Sequence, residues 1–196
     1  MADEFELNEG KMTPLQLGNI KARLRMMYLY NLASIHRGCV LDTDNRTEHE
    51  LGFWTIHGDV GDLNCGLIYL WKTEVYELAK YLLTGYEILA TRTKEIDLAI
   101  SALKESIALT PTDGNGVMSG GDCAQFGLDN YSQVDDVLKT MYFSNIKDKT
   151  EKANEYIRLI DSYNEQGVDS VMVRHQNSAF KRIPQPIYPS KEELGL

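Results

Sequence analysis

The sequence is short of positive charge, of proline and of cysteine, and each shortage removes a class of protein. Lys and Arg number 20 against 29 Asp and Glu, which gives a formal charge of −9 and a pI near 4.9. Extensive contact with nucleic acid or anionic lipid, which depends on Lys and Arg neutralising phosphates, is therefore not expected. Cys39, Cys65 and Cys123 are odd in number and scattered, so reduced thiols fit better than a disulfide framework. No segment reaches the ~18 uninterrupted apolar residues of a membrane helix. The acidic opening MADEFELNEG has neither the basic start nor the apolar run of a secretory signal. The expectation is a soluble, cytoplasmic chain without membrane contact.

Chemical signatures are scarce as well. Neither a Cys-x-x-Cys pair nor a His-Glu-x-x-His helix occurs. The glycine loop DGNGVMSGGD lacks the Gly-Lys-Ser/Thr ending of a P-loop and the preceding strand of a dinucleotide fingerprint. Ser34 or Cys39 beside His36 has no nucleophile elbow around it. Arg46 and His49 are too close in sequence for the Arg–His pair of HEPN-type nucleases. IHGDVGD at Ile56–Asp62 shares a fragment with metallophosphatase motifs, without the further ligands those sites require. No cofactor is expected.

What the chain does have is helical periodicity. Between Asp62 and Leu109 there is no proline, and apolar residues recur at Leu67, Trp71, Val75, Leu78, Leu82, Tyr86 and Leu89, then at Ile96, Ile100, Leu103 and Ile107. That spacing predicts one long central helix capped by Asp62, with a bend placed near Gly85 or Thr91–Thr93, or else two helices nearly end to end. Unbroken, it would span roughly 70 Å, more than a domain of this size covers. Thr13-Pro14-Leu15-Gln16 predicts a capped helix start. Leu17, Ile20, Leu24, Met27, Tyr28 and Ile35 then mark one apolar face, and Gly38 a left-handed stop. Further helices are predicted from Ser132 and from Asp148.

Two long loops separate these helices: Cys39–Gly61, with an apolar island at Phe53–Ile56, and the glycine-rich run after Pro111. Val168, Val171 and Val173 suit a short strand, and Pro184, Pro186 and Pro189 hold the tail extended. The predicted architecture is therefore mainly all-α. It comprises a mobile acidic N-terminus (1–12), a helical core (13–166) and an extended proline-containing arm (167–196).

Two functional readings follow. The first is a non-enzymatic assembly subunit, a homo-oligomer that also meets other protein subunits through its helices and grips neighbours with its arm. By analogy of plan rather than of motif, it is a phage head-to-tail connector or ring adaptor, in the cytoplasm or a virion. Its candidate partner-binding residues are Tyr76, Tyr81, Arg174, Phe180, Arg182, Pro184, Pro186, Tyr188 and Pro189. The alternative is a metal-dependent enzyme or metal-binding protein using the His36–Asp62 segment. That segment holds Asp42, Asp44, Glu48, Glu50 and Asp62, with His36, His49, His57 and Asp59 as candidate ligands.

Overall fold

Helix starts are where local chemistry acts most directly. Thr13 and Gln16 close a reciprocal capping box, Thr13 N donating to Gln16 Oε1 (2.9 Å) and Gln16 N to Thr13 Oγ1 (3.3 Å). In the computed structural model, helix α1 (Pro14–His36) follows directly. The structure describes residues 12–89, 91–109 and 121–182. After α1 come β1 (Leu41–Asp42), α2 (Arg46–Leu51), β2 (Leu63–Asn64) and a 3-10 turn (Leu67–Tyr69). Then follow α3 (Lys72–Glu87), α4 (Lys94–Leu109), α5 (Gly121–Ala124) and α6 (Tyr131–Leu138), which continues as a π-helical turn (Lys139–Phe143). Helices α7 (Lys149–Ser162) and α8 (Glu165–Asn177) and a 3-10 turn (Ala179–Arg182) complete it.

The predicted long central helix does not form. Asp62 caps nothing: its carboxylate accepts from Tyr30 OH (2.7 Å) and Val40 N (3.3 Å). Leu63 and Asn64 are a strand, Gly66 takes a left-handed φ of 90°, and the helix starts at Lys72, where Trp71 N donates to Glu74 Oε2 (2.9 Å). It breaks again after Glu87. Helix α4 packs against α3, and Lys104 reaches Glu87 at 2.6 Å. Two short helices leaning on each other dispose of the ~70 Å rod. Periodicity alone missed this because 3.6-residue spacing survives a chain break when both pieces are amphipathic.

This helix pair is also peripheral. Nothing in α3 is buried, whereas the core gathers Val134, Val137 and Leu138 of α6 with Leu159 of α7 and Val168 and Val171 of α8, all fully buried. Leu51, Trp71, Phe126, Leu128 and Met141 close that core. Of the valines predicted as a strand, Val168 and Val171 thus lie on the buried stripe of a helix, while Val173 of the same helix is exposed. Asn164 caps that helix by accepting from Gly167 N (2.6 Å), and spacings of three between Val168 and Val171 suit a helix face. Asp148 caps α7 as its position predicts, accepting from Thr150 N (2.8 Å) and Glu151 N (2.9 Å). Asn130 rather than Ser132 caps α6. Helix α1 stops at a left-handed Arg37 (φ 53°), one residue before Gly38.

The segment read as the first long loop carries the only ladder among the described residues. Strands β1 and β2 pair in parallel, Leu41 opposite Leu63 and Asp42 opposite Asn64. Gly61 permits this approach. A Cβ there would lie 2.6 Å from Asp42 N and from Val40 O, both backbone atoms that cannot move aside. No described helix is long and apolar enough to cross a membrane.

Candidate functional site

The carboxyl end of the ladder is polar and buried. Asn64 Nδ2 donates to Asp42 Oδ2 (3.0 Å) and to Asp44 O (3.1 Å), while Asn64 Oδ1 accepts from Gly66 N (2.9 Å) and Ile68 N (3.1 Å). One side chain therefore ties both strands and the following turn together. Just beyond β1, Asp44 faces Asp42, Glu48 and Asp59. Burial, with the repulsion of these carboxylates, raises its pKa from 3.8 to about 8. Asp44 is thus chiefly neutral at pH 7.

Helix α2 springs from this point. Asn45 and Glu48 form a reciprocal capping box, Glu48 N donating to Asn45 Oδ1 (3.1 Å) and Asn45 N to Glu48 Oε2 (3.0 Å). Glu48 also holds Lys72 Nζ at 2.6 Å, placing a cation beside the Asp44 carboxyl. Thr47 and Thr73 anchor the site to the core through Asp135. That carboxylate accepts from Thr47 Oγ1 (2.5 Å), Thr73 N (3.1 Å) and Thr73 Oγ1 (2.8 Å), and Thr47 Oγ1 in turn accepts from Lys72 N (2.9 Å). Asp135 is 2% exposed, and burial still leaves its pKa raised despite these donors. The Arg46 guanidinium lies 4.1 Å from the Phe143 ring centre and 5.0 Å from that of Trp71.

The last turn of α2 leaves carbonyls without helical partners, and the C-terminal segment supplies donors to them. Arg174 Nε reaches Leu51 O (2.8 Å), Arg182 Nη1 and Ser178 Oγ reach Glu50 O (2.6 and 3.0 Å), and Lys181 Nζ reaches Gly52 O (2.7 Å) and Trp54 O. Gly52 ends the helix at φ 62°, where a Cβ would also press on Ser178 Cβ at 2.7 Å. Burial and the Arg174 charge lower the pKa of Lys181. His49 and His175 are pushed down to about 4 by burial and by Arg182, so both are neutral at pH 7.

Beside this junction opens a cavity of about 580 Å³ lined by Asn19, Phe53, Trp54, Thr55, Asp59, Arg174 and Lys181 among others. In its wall Arg174 lies over the Phe53 ring (5.0 Å to the centre) and Lys181 over the Trp54 ring (5.5 Å), beside the Asp59 carboxyl, whose pKa burial raises. Trp54 Nε1 is buried with no hydrogen-bond partner.

Of the residues the sequence singled out, Asp42, Asp44, Glu48 and Asp59 come together here. His36 and His57 are exposed on separate segments, and no group of three or more His, Cys, Asp or Glu among the described residues could hold a metal ion. Arg174 and Arg182, expected on a partner surface, turn inward onto α2. Tyr76 packs on the core, while Tyr81 and Phe180 are exposed. Pro184, Pro186, Tyr188 and Pro189 lie outside the described residues. Cys39 and Cys65 are exposed and Cys123 is buried, all three as free thiols. Sequence reasoning missed Asn64, Lys72 and Asp135. Each looked like an ordinary helix or loop residue, and their partners lie 20–88 residues away.

A parallel ladder with helices around it and polar side chains beyond its carboxyl ends is an α/β feature rather than that of a purely helical adaptor. The comparisons name the family: the NAD synthase family model matches residues 1–185, and the chain belongs to that family. Its fold is the Rossmann-like adenine nucleotide alpha hydrolase fold, which corrects the all-α bundle even though helix dominates the described residues. The chain is 32% identical over 142 residues to an NH3-dependent NAD+ synthetase of Thermoplasma volcanium, covering 72% of this chain and 50% of the relative. It is 34% identical over 175 residues to that of Methanoregula boonei, covering 89% of this chain and 56% of the relative. Solved structures of an NMN synthetase from Francisella tularensis and an NH3-dependent NAD synthetase from Campylobacter jejuni superpose with a TM-score of 0.55 each, at 25% identity. They cover 96% and 94% of this chain and 62% and 60% of theirs. The chain spans about half the length of the curated relatives it matches. Membership of an enzyme family overturns the expectation of a non-enzymatic virion connector or adaptor.

Proposed function

We propose that this chain forms part of an ammonia-dependent NAD+ synthetase, a ligase that converts a pyridine carboxylate to the carboxamide. The observation that carries the reading is the family match across residues 1–185 together with synthetases as the relatives of known name. Joining ammonia to a carboxylate in water requires activation. An adenine nucleotide alpha hydrolase fold suits attack of the carboxylate oxygen on the α-phosphorus of ATP, with pyrophosphate leaving. Ammonia then adds to the acyl carbon and AMP departs. In this scheme the aromatic, cationic cavity holds the ring and phosphates of the precursor, with Phe53 and Trp54 as stacking surfaces and Arg174 and Lys181 as the positive wall. Asp44, neutral at pH 7, and the Glu48–Lys72 pair border the phosphate-bearing side. Cytoplasmic location and a homo-oligomeric assembly belong to the same proposal, with the exposed Tyr81 and Phe180 as candidate contacts.

The test supplies the carboxylate analogue of NAD+, ATP and 15N-ammonia, with and without the portion of the Methanoregula boonei synthetase that this chain does not match. Appearance of 15N in the carboxamide of NAD+, lost in Lys181→Ala and Lys72→Ala, is the expected result. Turnover of the mononucleotide acid instead would favour an NMN synthetase, in line with the Francisella tularensis structure. Incorporation into neither product under any of these conditions would overturn the proposal.

A further inference from the structure

Trp54 is buried in the wall of the cavity, 8% exposed, and its indole Nε1 meets no hydrogen-bond acceptor among the described residues. A buried indole N–H ordinarily finds a partner, because leaving it bare costs the desolvation of the donor. The polar groups around it are engaged with one another instead. The Gly52 and Trp54 carbonyls both receive Lys181 Nζ, Asp59 Oδ1 accepts from Thr55 N (2.5 Å), and Asn19 Oδ1 accepts from Thr55 Oγ1 (2.8 Å). Since Asn19, Thr55, Asp59 and Lys181 line the same cavity as Trp54, a molecule bound there is the remaining source of an acceptor.

The charge of the site selects the kind of acceptor. An ammonium carries three N–H donors. Two of those on Lys181 go to Gly52 O (2.7 Å) and Trp54 O, which leaves one, and Nζ lies 5.5 Å from the centre of the Trp54 ring. A charged and a neutral donor therefore stand close together in one wall. With Arg174 and Asp59 the lining carries two cations and one carboxyl, a balance that favours an anion. We infer that Trp54 is a binding residue whose indole N–H, together with the remaining N–H of Lys181, holds the phosphate of a pyridine mononucleotide unit in this cavity. A tetrahedral phosphate presents oxygens to two donors at once. The ring carboxylate is the poorer occupant, because two donors would draw on the electrons with which it must attack ATP. The inference rests on the substrate class proposed above and adds the group that reads its phosphate.

The experiment uses the 196-residue chain labelled with 15N. It contains two tryptophans, so two indole N–H signals are followed in the NMR spectrum and told apart with Trp54→Phe. The probes are nicotinate mononucleotide and nicotinate riboside, which differ by the phosphate alone, and their affinities are measured by calorimetry. With the mononucleotide, the Trp54 signal should move downfield and its exchange with water slow, while the Trp71 signal stays in place. The riboside should move neither. Trp54→Phe should weaken the mononucleotide by about tenfold and leave the riboside as it was. A mononucleotide that binds without moving the Trp54 signal would overturn the inference alone. So would a riboside that moves it as far, or a substitution that weakens both compounds alike, as a merely structural role would. Binding of neither compound would overturn the substrate reading and this inference with it.

Discussion

The α6–α8 half and the α1–β2 half of this molecule obey opposite burial rules. Around α6, apolar side chains fill the inside: Val134, Val137, Leu138, Leu159, Val168 and Val171 are fully buried on three helices that close on one another. Around β1 and β2 the inside is polar, with Asp42 and Asn64 paired to each other, and leucines stand in solvent. The first half forms the apolar core, which Leu51 and Trp71 of the other half help to close. The second fills its buried volume with a hydrogen-bonded network that shapes the candidate site, and it leaves apolar side chains exposed. Asp135 is the hinge between the two, because one carboxylate of α6 takes donors from Thr47 and Thr73 on the site side.

That contrast can be broken deliberately. The largest effect is expected from Leu138→Ala, which empties a fully buried position and should lower stability by about 2–5 kcal/mol in denaturant unfolding. Asp135→Ala should follow at about 3 kcal/mol, because it strands the Thr47 and Thr73 donors in a buried setting. It should also loosen α2 and the start of α3 in hydrogen exchange while α7 and α8 stay protected. Equal loosening of all these helices would show that the halves are not separable. Gly61→Ala forces a Cβ onto the backbone of β1 and should cost about 1–3 kcal/mol, with the loss of protection confined to residues 40–42 and 62–64.

Smaller effects come from titration and from the surface. His49 and His175, with pKa lowered from 6.5 to about 4, take up protons more readily when unfolded, so they contribute stability above pH 6.5 that is lost as pH falls toward 4. Asp44, raised from 3.8 to about 8, works in the other direction: its contribution is complete below pH 4 and disappears as pH rises through 8. Between pH 6.5 and 8 the histidines no longer change and Asp44 does. The melting temperature should therefore decline across that window in the native protein and stay flat in Asp44→Asn. Least of all, Leu41→Ser should move the stability of the chain alone by no more than about 0.5 kcal/mol, in contrast with Leu138→Ala, although both remove a leucine side chain.

Much of the local structure was legible in the residues themselves. The Thr13–Gln16 box and the Asp148 cap form where a Thr or Asp precedes a helical pattern, since the partners lie within three residues and need nothing else. The acidic cluster of the Cys39–Gly61 segment also contributes to the site. Its geometry was not legible, because strands of two residues carry too little periodicity to announce themselves, and Gly61 matters only once a second strand approaches it. Arg174 and Arg182 looked like surface charges in a tail. Only the fold brings the last carbonyls of α2, more than 120 residues earlier, within their reach.

By itself, then, the sequence determined the capped starts of α1 and α7, the acidic balance and the amphipathic faces of α3 and α4. These depend on neighbours a few residues apart, whose interactions the chain's own geometry dictates. Tertiary structure alone decided that the 62–109 stretch would break into a strand and two leaning helices, that Asp135 would clamp the site to the core, and that the apolar stripe of α1 would face outward. The reason is common to all three: each depends on long-range packing, and the same local pattern is compatible with several arrangements until distant groups claim the buried positions.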